Sequence, residues 1–168
     1  MKKKIAVLMG GPSSEKKVSL KTGLFVSKSL NELGYIVKKI KVSNNIKNLI
    51  SNLRDFKPDV VFNALHGTFG EDGSVQRILK SLKLLYTHSG INASSTAMDK
   101  NKSKILFNKI KIPTPRSLII DKKNINRYLI KPPFLFPLVI KPVSEGSSVG
   151  VKICKNLNEL KKYKMHKL

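Results

Sequence analysis

The stretch VIKPVSEGSSVGV, from Val139 to Val151, joins residue types that can handle an anion. An apolar, strand-like run ends in Lys141-Pro142. A loop of small residues with two glycines and three serines follows, and the chain then returns to alternating valines. A tight hairpin turns on about two to five residues; this loop is longer. Its backbone N–H groups and the hydroxyls of Ser147 and Ser148 can wrap a phosphate, and Lys141 at its edge can add a positive charge. Glu145 can hold that lysine or the loop in place. An ordinary flexible hairpin loop is the competing reading, and periodicity alone does not separate the two.

Two more stretches carry chemistry. GGPSSEKKVS (10–19) follows an apolar run and opens a helical pattern. It lacks the spacing of a P-loop and of a dinucleotide fingerprint. Its Glu15 can bind a substrate ammonium or complement the positive end of the helix; spacing leaves both open. NALHGTFGEDGSVQ (63–76) follows another apolar run, so His66 is expected in the same crevice as Glu15, with glycines that let backbone approach a ligand. The plainer reading is that Glu71 and Asp72 cap the next helix and His66 is a half-buried turn residue. Lys100 lies early in a helical stretch, where a lone lysine is ordinarily solvated.

These loops need elements to position them. KIAVLM (4–9), YIVKKIKV (35–42) and DVVFNAL (59–65) read as strands. A helix is expected from Val18 to Leu33, with Val18, Phe25, Val26, Leu30 and Leu33 inward and Gly34 as its stop. A short helix is expected over 45–55, and another after Asp72 or Ser74. Strands alternating with helices predict an α/β domain with a parallel sheet over residues 1–88. In the second unit, 89–168, SSTAMDKNKSKILFNKI suits one helix ended by IPTP, RSLIID (116–121) a strand, FPLVIKP and VGVKIC a strand pair, and residues 156–164 a last helix. That unit looks unfinished.

The chain has 168 residues, 33 basic against 10 acidic, and a formal charge of +23. Nucleic acid is one reading of that charge. The lysines, however, are spread along the whole chain rather than gathered into an arm, which fits solvated faces and predicts no specific nucleic-acid partner. No apolar run approaches the ~20 residues of a membrane span. A single cysteine and three scattered histidines give no disulfide and no zinc pattern. A cytoplasmic protein follows as the expectation.

Taken together, LMGGPSSEKKVSL, ALHGTFGEDGSVQ, YTHSG, SSTAMDKNKSK and FPLVIKPVSEGSSVGV resemble, in order and spacing, the D-alanine–D-alanine ligases, a family of ATP-grasp enzymes. The resemblance implies a Rossmann-like N-terminal domain followed by part of an ATP-grasp domain. It implies that ATP phosphorylates one D-alanine and that a second D-alanine's amine displaces the phosphate, giving a dipeptide for peptidoglycan. By the same resemblance Glu15 holds the first ammonium, with Val18 and His66 beside it. Lys100, Lys141, Glu145, Gly146, Ser147 and Ser148 serve the nucleotide, and Ser147 links the loop to the Glu15 network. ATP and Mg2+ (or Mn2+) are the implied cofactors, and a homodimer through the N-terminal domain is the implied assembly.

The family is longer than this chain. The resemblance therefore places the magnesium ligands, the adenine-pocket segment and most of the site for the second D-alanine's carboxylate outside residues 1–168. An inactive, truncated remnant or a binding module without turnover is the alternative expectation, with a basic nucleic-acid binder behind it.

Overall fold

Lys4–Gly10 (β1) is apolar on both faces because it lies inside a sheet with neighbours on each side. It pairs in parallel with Ile36–Val42 (β2) on one edge and with Val60–Asn63 (β3) on the other. Leu85–Tyr86 (β4) extends the sheet beyond β3, again in parallel, so the order is β2-β1-β3-β4. This is the expected α/β parallel sheet. The computed structural model describes residues 2–121 and 123–167, which form two units, Met1–Asp99 and Lys100–Leu168.

Alternation along β1 sends Ala6 and Leu8 to one face and Ile5, Val7 and Met9 to the other. The first set packs with Ile40, Val61, Leu65 and residues of two helices, Leu49 and Leu53 of Ile46–Phe56 (α2) and Val75 and Leu79 of Ser74–Ser81 (α3). The second set packs with Leu20, Val26 and Leu30 of Lys16–Glu32 (α1).

The inward face of α1 matches the expected one at Val26 and Leu30 and differs elsewhere. Its fully buried residues are Ser19, Gly23 and Ser27, four apart, while Val18, Phe25 and Leu33 are 55%, 72% and 72% exposed. Small residues win this face because the helix lies close to β1: a Cβ on Gly23 would come within 2.5 Å of Met9 Cβ. Ser19 adds a polar stitch. Its hydroxyl accepts the Gly10 N–H at 2.8 Å and donates to the Ala64 carbonyl at 2.7 Å.

The stretch expected as one helix after residue 91 is two, Ile91–Met98 (α4) in the first unit and Lys100–Lys109 (α5) in the second, broken by Asp99 in extended conformation. In the second unit Leu138–Ile140 (β5) pairs antiparallel with Lys152–Cys154 (β6), as the hairpin reading required. Residues 116–121 form no strand. Leu118 and Ile119 have β propensity, but among the described residues no segment pairs with them, and both remain exposed. Two further helices, Ile125–Ile130 (α6) and Leu157–Lys167 (α7), flank the hairpin. The buried apolar side chains of this unit, among the described residues, are Ile125, Cys154 and Leu160.

Candidate functional site

The strand order makes β1 the switch point of the first sheet, because the chain steps from β1 to β2 on one side and to β3 on the other. Ligands of open α/β sheets bind at such points, outside the carboxyl ends of the strands. The loop after β1 carries Glu15, and the loop after β3 carries His66. The fold brings them together. A Cβ placed on Gly67, which has φ +70°, would lie 2.7 Å from Glu15 Oε2, so the carboxylate rests directly against the backbone after His66. Glycine is required there by both the conformation and the contact.

Ser13 ties the two loops. Its hydroxyl donates to the His66 carbonyl at 2.6 Å and accepts the Glu15 N–H at 3.1 Å. Glu15 is the residue before α1, yet its side chain makes no capping hydrogen bond. Its carboxylate lies instead over the crevice wall, an arrangement able to receive an ammonium. The His66 ring is held between two elements: Nε2 is 3.1 Å from Thr22 Oγ1 of α1, and Nδ1 is 3.7 Å from Glu71 Oε1. Val18 lies in the first turn of α1, exposed, and its carbonyl accepts the Thr22 hydroxyl at 3.1 Å.

The two acids after His66 divide their work. Glu71 Oε2 accepts the Gly67 N–H at 2.7 Å, which keeps the carboxylate on the His66 side of the loop. Asp72 accepts from Phe69 N–H at 2.9 Å and Ser74 N–H at 2.9 Å, so it serves the entry of α3. Burial pushes its carboxyl up, but these backbone donors together prevail and hold it below the usual carboxylate range.

The second unit carries the loop between β5 and β6. Lys141 is the first residue after β5 and is exposed. Turn bonds from Val149 N–H to the Gly146 carbonyl at 2.9 Å and from Val151 N–H to the Ser148 carbonyl at 3.1 Å close the loop on itself. Ser147 and Ser148 are both left-handed, at φ +46° and +60°. That conformation costs a non-glycine residue about 1–2 kcal/mol and collects at ligand clamps and switch regions. The loop's exit is fastened: Tyr163 Oη donates to the Gly150 carbonyl at 2.7 Å, and a Cβ on Gly150 would meet Pro142 at 2.7 Å.

Lys100 reaches the same loop from α5. Its ammonium donates to the Glu145 carbonyl at 2.6 Å and the Val143 carbonyl at 3.3 Å, and its backbone N–H donates to Val143 at 3.1 Å. Glu145 is thus engaged through its carbonyl, and among the described residues no ion pair joins it to Lys141. Gly146 and Ser148 lie in the turns of the loop tip.

Sequence reasoning did not name Ser13, Thr22 or Glu71 as site residues. Thr22 lies four residues after Val18, a helical spacing that could have placed it beside the crevice. The Ser13 and Glu71 contacts depend on how the two loops meet and left no local signal.

A family model described as the D-ala D-ala ligase C-terminus matches residues 106–167. The chain is 51% identical to the D-alanine–D-alanine ligase of Pelagibacter ubique over 171 residues, covering 99% of this chain and 55% of that protein. It resembles the crystal structure of D-alanine–D-alanine ligase from Bacillus anthracis with a TM-score of 0.78 and 38% identity, over 97% of this chain and 53% of that one. The ATP complex of the same enzyme matches with a TM-score of 0.74 and 36% identity, over 95% and 53%. The chain spans about half the length of the curated relatives it matches.

Proposed function

From a chain related in sequence and fold to the D-alanine–D-alanine ligases over about half of their length, we propose a share in the ATP-dependent joining of two D-alanines for peptidoglycan synthesis. The crevice of the first unit receives the first D-alanine. Glu15 takes its ammonium, and His66 and Val18 wall the site. The loop after β5 receives the phosphates of ATP, with Lys141 as the exposed cation and the N–H groups around Ser147 and Ser148 facing the transferred phosphoryl group. Lys100 sets that loop through the Glu145 and Val143 carbonyls and adds charge near the phosphates. Preorganised donors and cations stabilise charge as it moves, which is the main contribution a protein makes to phosphoryl transfer.

The single observation that supports this reading best is Glu15. It occupies the helix-entry position but lies against Gly67 at the sheet's switch point rather than capping α1. Among the described residues no group of three or more His, Cys, Asp or Glu side chains could hold a metal ion. No step here depends on a metal ion.

We also propose a homodimer through the first unit. The support is the outer face of α1, where Leu24 and Phe25 are 52% and 72% exposed. No described helix is long and apolar enough to cross a membrane, and we place the reaction in the cytoplasm, where ATP is available.

Calorimetric titration of the chain with D-alanine and with ATP tests the proposal. Glu15→Gln is expected to weaken D-alanine about tenfold or more by removing a charge-assisted bond, with ATP unaffected. Lys141→Ala is expected to do the reverse. Equal D-alanine affinity in the wild type and Glu15→Gln would overturn the assignment of the ammonium site.

A further inference from the structure

The loop that carries His66 and Glu71 is pinned at its middle by two buried amides. Asn63, the last residue of β3, donates through Nδ2 to the Gly70 carbonyl at 2.9 Å. Gln76 of α3 donates through Nε2 to the same carbonyl at 2.8 Å. Both side chains are 1% exposed. One backbone carbonyl thus collects both of its hydrogen bonds from side chains on the two elements that flank the loop. Gly70 is pressed into place as well: a Cβ there would lie 2.5 Å from Leu65 Cβ and 2.9 Å from the Leu65 carbonyl carbon. Asn63 also accepts the Leu65 N–H at 3.2 Å, so the same side chain fixes the residue just before His66.

A buried polar side chain costs folding free energy unless its groups are paired. Gln76 is only half paired. Its Oε1 is a buried side-chain oxygen that, among the described residues, has no hydrogen-bond partner. An apolar residue of the same shape would avoid that cost. The Gly70 carbonyl would also keep the Asn63 bond, so its desolvation would remain covered. Global stability therefore gives little reason for glutamine at this position, whereas the placing of the loop does.

We propose that Gln76, acting with Asn63 through the Gly70 carbonyl, is a positioning residue for His66 and Glu71 in the D-alanine crevice. Its effect travels through the loop: Gly70 anchors the turn, the turn sets Glu71 against Gly67 N–H, and Glu71 and Thr22 fix the His66 ring. The inference rests on the D-alanine reading of the crevice only for its functional consequence. The geometric part stands by itself.

The test uses the full chain and Gln76→Leu, with Gln76→Met as an unbranched second variant should leucine fail to fold. Three quantities are read: the thermal midpoint, the His66 ring signals by NMR, and the D-alanine affinity. The expected result is a midpoint near that of the wild type, His66 signals that shift or split, and D-alanine binding weakened about fivefold, the net worth of one neutral hydrogen bond. Unchanged His66 signals and unchanged affinity in a folded variant would overturn the proposal. If the wild type itself binds no D-alanine, the functional reading of the crevice fails. The His66 signals then decide the positioning claim alone: a shift supports it and no shift sinks it.

Discussion

Gly23 of α1 lies against Met9 of β1 so closely that a methyl group there would overlap the Met9 side chain, at 2.5 Å from its Cβ and 2.7 Å from its Cε. Met9 Cε could swing away, but the Cβ cannot move without its strand. Helix propensity favours alanine over glycine by about 1 kcal/mol. Overpacking a close interface costs about 1–3 kcal/mol. Gly23→Ala should therefore lower stability on balance, by up to about 2 kcal/mol, read as the urea midpoint. Lys21→Ala, at an exposed position of α1, should change the midpoint little. A more stable Gly23→Ala would mean that the helix is not seated as closely as described.

Asp72 makes stability depend on pH in a defined direction. Its carboxyl is held below the usual range in the folded chain, so its contribution is fully present above the unfolded carboxylate value near 4 and is lost as pH falls through the lower folded value. Asp72→Asn should cost about 1 kcal/mol near neutral pH. The difference from the wild type should shrink below about pH 4. Denaturation curves of both proteins across that range check this. A constant difference would show that the charge of Asp72 is irrelevant to the Phe69 and Ser74 contacts.

Cys154 reports on the second unit. Its thiol is fully buried, and burial, reinforced by Glu159, raises its ionisation above the ordinary thiol value while Lys152 opposes the shift. A buried, protonated thiol reacts slowly. Yet β5 and β6 form only a two-stranded pair, with Val139 and Ile153 each 57% exposed. Two-stranded sheets are marginal by themselves. Labelling with a thiol reagent should therefore proceed through local opening, faster than amide exchange in β1. Labelling as slow as exchange of the β1 amides would contradict a separately opening second unit.

Several of these features could be read before the fold was known, for reasons that differ by residue. The β5–loop–β6 hairpin was legible because its strands and its Gly/Ser loop are adjacent in sequence. β1 was legible because a strand buried on both faces is a continuous apolar run. The inward face of α1 was legible at Val26 and Leu30 but not elsewhere, since hydrophobic spacing points also to Phe25 and Leu33 while close packing selects Ser19, Gly23 and Ser27. Residues 116–121 have strand-like composition, but a strand needs a partner, and pairing is not a local property. The setting of His66 by Thr22 and Ser13 was hidden because those contacts span 44 and 53 residues.

The most direct test joins residues 1–168 to the remaining half of the Pelagibacter ubique D-alanine–D-alanine ligase, in place of the 171-residue stretch that aligns with this chain. Phosphate release from ATP is then measured with and without D-alanine. The expected result is D-alanine-dependent release that Lys141→Ala reduces at least about tenfold, as the loss of a charge-assisted phosphate contact implies. Release that ignores Lys141→Ala, or a folded chimera with no D-alanine-dependent release, would contradict it.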